Sequence, residues 1–176
     1  MPNPIRGTTG TVLAAGVIAG SIDIGAASLI SGLSPVVILH AVASGLLGKE
    51  AFTGGAGTAL LGLLLQLGIS ILIAAIYLLV TAPWPGMRRR WPLTGVVAGI
   101  VIFVVMNYLV VPLSAAPFRP HFSFHQLLTV FTPYKFLANL LAMILFGLII
   151  AFSTRNVPEP IKSESAIGGS PGSKGA

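Results

Sequence analysis

Four apolar stretches, residues 11–33, 58–82, 93–112 and 133–153, are separated by short segments that hold most of the charge. At about 1.5 Å per residue, about 20 residues cross a hydrocarbon core about 30 Å thick, so each stretch is long enough to span a bilayer. Backbone groups in lipid must find their partners inside the protein, which leaves helices or a closed barrel. The stretches show no alternation of period two, so helix is the predicted state. A cleaved signal peptide has a shorter apolar region of about 7–15 residues. Residues 11–33 are longer and contain Asp23, and a retained first span is expected.

The connections on one side also have a pattern. Ser34 followed by Pro35, with Gly48 after an apolar run, reads as a helix of 13 residues, Pro35–Leu47, capped at both ends. It would extend only about 20 Å, so a re-entrant or interfacial position is expected. Ser123 and Gln126 have capping-box spacing, and residues 124–131 read as a second short apolar helix ended by Pro133. The order span, short helix, span therefore occurs twice, over residues 11–82 and 93–153. Related halves arranged as parallel repeats would explain it, as would two hairpins with similar loops. Residues 154–176, rich in Pro, Gly, Ser and Lys, are expected to form a disordered tail, and residues 1–10 a short cytoplasmic N-terminus.

Composition agrees with the pattern. The chain is 55% hydrophobic and 8% charged, far below the roughly 25% charge usual in soluble domains. A formal charge of +6 would suit nucleic acid in a soluble protein. Here the basic residues sit in loops, where they read as orientation signals and contacts to anionic lipid, and no nucleic-acid partner is expected. With the N-terminus inside, the inner segments hold Arg6, Arg88, Arg89, Arg90, Arg155, Lys162 and Lys174, and the outer segments hold Lys49, Arg119 and Lys135. Seven against three favours both termini in the cytoplasm. The three consecutive arginines, bracketed by Trp84 and Trp91, are the strongest single signal. The absence of cysteine excludes disulfides, thiolate metal sites and cysteine nucleophiles.

Asp23 is the one acidic residue in any of the four stretches. A carboxylate at the centre of a spanning helix costs several kcal/mol on insertion, roughly 2.5–3.5 on insertion scales, and such groups usually face protein, water or a transported species. Gly16, Gly20, Asp23 and Ala27 share one helix face. The expected partners of Asp23 in a polar seam are Gln66, Asn107 and Asn139, one from each other span. Gly16 with Gly20, and Gly95 with Gly99, are small-xxx-small pairs that let helices approach closely. The seam either hydrogen-bonds helices together or carries a proton or cation.

Other groups offer less. His40, His121 and His125 fall on the outer side; the last two are four apart, but no carboxylate follows in the manner of a zinc hydrolase, and no metal is expected. Lys49 and Glu50 read as charges at headgroup level. Gly54, Gly55 and Gly57 lack the strand and lysine of a phosphate loop. With 4 acidic residues and no nucleophile–base set, neither enzymatic activity nor a cofactor is expected.

The run Trp91-Pro-Leu-Thr-Gly-Val-Val-Ala-Gly99, then Met106-Asn-Tyr108 and Val111-Pro-Leu-Ser114, resembles small bacterial inner-membrane proteins of the YagU-like group. The similarity lies in a basic loop, a glycine-rich third span and a proline near its outer end. It covers the membrane part of the chain and implies an inner-membrane location, with at most a stress-related role. No catalytic residue comes with it. The expectation is an all-α polytopic membrane protein, four spans with two short outer helices, in a structural or accessory role. It would associate with itself or a membrane partner through its glycine faces. The alternative is a small transporter or channel built on Asp23.

Overall fold

The structure, a computed structural model, describes residues 4–115 and 133–157. All the regular structure among them is helical. Helix α1 is Pro4–Ser31 and α2 is Pro35–Leu47, prolonged by a 3-10 turn, Gly48–Phe52. Then follow α3, Gly55–Thr81, and the short α4, Pro85–Arg89. Helix α5 is Trp91–Leu113 and α6 is Pro133–Thr154. Five of these segments are long and apolar enough to cross a membrane: α1, Pro35–Phe52, α3, α5 and α6.

The fifth is a departure from the expectation of four. Ser34 caps α2 as its spacing predicts, its side chain accepting from the Val37 N–H at 3.4 Å, and Pro35 follows in the first turn. Gly48 sits at φ 65°, a left-handed conformation open to glycine, and its N–H bonds to the Ser44 carbonyl. Instead of releasing the chain, that turn leads into the 3-10 segment, and the whole reaches 18 residues with a bend inside it. Two residues inside the segment are tied to neighbours. His40 Nε2 lies 2.9 Å from the carbonyl of Gly55, the first residue of α3. The Ala115 N–H, just past α5, donates to the Gly45 carbonyl at 2.8 Å.

Helix α5 runs slightly beyond its expected bounds because Pro112 is accommodated within it. A proline has no N–H to give and its ring crowds the carbonyl four residues back. The preceding turn, Met106–Val110, widens to π geometry, which absorbs that misfit and lets the helix reach Leu113. The helix expected over residues 124–131, with Ser123, Gln126, His121 and His125, lies outside the described residues.

Small residues bring the helices together. Helix α1 sets Gly16 and Gly20 against Ile71 and Ser70 of α3, where a Cβ would come within 2.5–2.6 Å of its neighbours. On an adjoining face Ala15 and Ala19, with Ala74 of α3, close around Phe146 and Ile150 of α6. Gly95 and Gly99 of α5 lie on the backbone of α6 around Ile144 and Leu148. Lipid tails are as apolar as these side chains, so close van der Waals packing rather than water exclusion holds the interfaces. Both predicted glycine pairs are thus used inside the chain.

Candidate functional site

Gln66 Nε2 donates to Asp23 Oδ2 at 2.8 Å, joining α1 to α3 within their apolar spans. The backbone contact at Gly16 and Gly20 holds the two helices close enough for this reach. One turn further along α3, Ser70 Oγ donates to the Gln66 carbonyl at 2.8 Å, so the hydroxyl is satisfied within its own helix against Gly20. Asp23 is half-buried. No described donor reaches its second oxygen, Oδ1, and that oxygen is not sealed from the surface.

The other two residues of the expected seam are not brought to this pair. Asn107 Nδ2 donates to the Phe103 carbonyl at 2.8 Å within α5. Phe103 is buried there, its ring edge-on to Phe136 of α6 at 5.3 Å. Asn139 is half-buried and has no hydrogen-bond partner among the described residues. The arrangement is therefore a two-residue clasp. It can hold two helices in register and can present one carboxylate oxygen to a proton or cation.

A second polar link went unread in the sequence: the Tyr77 and Thr94 hydroxyls meet at 2.9 Å between α3 and α5. Spacing could not pair them, since they stand in separate apolar helices whose relative rotation the sequence does not give. They border an apolar cavity of about 370 Å³ that also touches Met87, Val97 and Ile150.

The predicted histidine positions divide. His40 is committed to the α2–α3 junction, with Phe52 edge-on to its ring at 6.4 Å. The other two lie outside the described residues, among which no cluster of three metal-ligating side chains occurs.

Four arginines gather where α4 joins α3 to α5. Arg88 is buried, and its Nη1 donates to the Val157 carbonyl at 2.6 Å. Val157 is itself buried, so the first residues of the expected tail are packed against the basic loop. The Arg155 guanidinium lies 3.9 Å from the Phe152 ring centroid and 5.8 Å from that of Trp91. With this geometry in view, the chain was compared with family models, curated proteins and solved structures, and none of them matches it.

Proposed function

We propose that this is a small integral membrane protein of the bacterial inner membrane, with a structural or accessory role rather than a catalytic one. It crosses the bilayer four times, through α1, α3, α5 and α6, and both termini are cytoplasmic. The segment Pro35–Phe52 lies at the outer face as a re-entrant or interfacial helix. In favour of this placement, its α-helical part is only 13 residues, and it bonds to the start of α3 through His40 and to the end of α5 through Gly45. Those two ends lie on one side of the bundle when adjacent spans are antiparallel. Four crossings also keep Arg88–Arg90 on the same side as both termini, in line with the seven-to-three division of basic residues. The inner-membrane location rests on the YagU-like resemblance.

The observation that carries the structural role is the Gln66–Asp23 bond, a single inter-helix clasp with no continuation through Asn107 or Asn139. Self-association through the glycine pairs loses its basis, because both pairs are occupied within the chain. An oligomer or a membrane partner would have to engage other faces. The test is Asp23→Asn, which keeps the acceptor for Gln66 and removes the acid. A clasp predicts normal insertion and unchanged stability in the bilayer.

A transport reading has one observation in its favour, the open Oδ1 of Asp23. On that reading the same variant would fold normally and lose a flux.

A further inference from the structure

Helix α5 packs along α6, α6 against α1, and α1 against α3. Among the described residues, α3 and α5 themselves hardly touch beyond the Tyr77–Thr94 pair and the short turn of α4 that joins them. The apolar cavity of about 370 Å³ occupies this gap, with Gly147 and Ile150 of α6 as its floor. Its lining is almost all carbon, because the two hydroxyls bond to each other. A site with so few polar partners stays dry, and left empty its walls would lose the contacts that pack a helix interface. Ile76, Val80, Val97 and Val101 line its edges and are each half exposed or more. In spanning helices those edges face hydrocarbon, so the gap opens sideways to lipid.

We infer that this gap is a binding site for one acyl chain of a phospholipid, running parallel to α3 and α5 from headgroup level inward. The site requires that α3 and α5 span the bilayer as proposed above; it does not depend on which side of the membrane their shared loop faces. From Thr81 to Ile73 the gap runs about 12 Å along α3, within one leaflet of about 15 Å. Over that length its volume gives an average width of about 6 Å, against about 10–12 Å for a helix with its side chains. A second helix cannot enter, whereas a single file of methylenes, about 4–5 Å across at ordinary carbon contact distances, can. Charge at the mouth suits the other end of the lipid. Met87 lines the cavity, and the exposed Arg89 and Arg90 stand two and three residues on, where the phosphate of a lipid with its chain in the gap would lie. A bound chain would tie α3 to α5 where the protein supplies little contact of its own.

The test places the full chain in vesicles of phosphatidylglycerol that carries a diazirine midway along one acyl chain, with mass spectrometry mapping the adducts after irradiation. Adducts should form on the half-buried Ile73 and Ile102 inside the gap, as well as on Leu72 and Val104, which are exposed on the same helices outside it. Val101→Phe narrows the gap from an exposed edge, and should lower labelling of Ile73 and Ile102 by about fivefold or more while Leu72 and Val104 keep theirs. Val104→Phe adds the same ring outside the gap and should change labelling of Ile73 and Ile102 less than about twofold. If Val101→Phe fails to fold, Ala98→Leu narrows the gap with less bulk and carries the same expectation. Label on Leu72 and Val104 but not on Ile73 or Ile102 would overturn the site, leaving the gap empty or filled by a protein segment. Labelling of Ile73 and Ile102 that the narrowing variants leave unchanged would overturn it too. No label on any of the four residues would overturn the spanning of α3 and α5, and the site with it.

Discussion

Gly147 of α6 faces Gly99 of α5 with no side chain between them: a Cβ on Gly147 would stand 2.6 Å from the Gly99 nitrogen. A Cβ on Gly99 would meet the Ile144 Cα at 2.5 Å. Backbone occupies both sides of this contact, so no rotamer change can make room. Gly99→Ala should therefore force α5 and α6 apart and destabilise the protein by about 1–3 kcal/mol, the usual range for overpacking. Gly68→Ala in α3 is the control, since nothing lies within 4 Å of its added carbon and alanine favours helix by up to about 1 kcal/mol. Thermal unfolding in lipid nanodiscs should lower the midpoint for the first variant and leave or raise it for the second.

Helix α2 gives a labelling experiment. The Leu39 carbonyl packs onto Gly62 of α3 so closely that an added Cβ would overlap it, and Val42 is half-buried in the same helix. A cysteine at Val42 should be shielded from water-soluble thiol reagents, and one at the exposed Glu50 should label freely. Gly62→Ala should lift α2 and expose the Val42 position. Equal rapid labelling at both positions in the parent background would mean that α2 is a solvent-exposed loop.

Much of this arrangement was legible before the structure, and the reasons differ by element. Length and apolarity alone locate α1, α3, α5 and α6, because the bilayer sets one dimension for all of them. The glycine pairs and the caps at Ser34 and Gly48 were readable because close approach and positive φ restrict the residue types that fit. The number of seam residues was not readable. Helical spacing fixes which face of its own helix a residue occupies but not how neighbouring helices are rotated. Asp23 thus finds Gln66 while Asn107 turns to Phe103 of its own helix. The Arg88–Val157 contact was hidden for a related reason: it joins residues 69 apart in the chain, and composition marked the region around Val157 as a tail.

Reporter fusions test the orientation. Fusions at Met1, Arg89 and Ala176 should report the cytoplasm, and one at Glu50 the outside. A fusion at Arg89 that reports the outside would overturn the proposed four-span topology and the cytoplasmic placement of Arg88–Arg90.

The Asp23–Gln66 bond predicts a measurable coupling. Asp23→Leu and Gln66→Leu should each weaken the α1–α3 contact, and the double variant should lose less than the sum. The expected coupling is about 0.6 kcal/mol and at most about 1.7, the span found for hydrogen bonds between membrane helices. Unfolding within the bilayer for the four members of the cycle gives it directly. Strict additivity would mean that the bond contributes nothing to holding the helices.

The decisive measurement is proton flux in reconstituted vesicles under a pH gradient, with the parent and Asp23→Asn side by side. A carboxyl that works only as an acceptor for Gln66 predicts that neither protein raises the flux above that of protein-free vesicles. A flux in the parent that disappears in Asp23→Asn, with the variant inserted and folded, would contradict the structural role and make Asp23 part of a pathway.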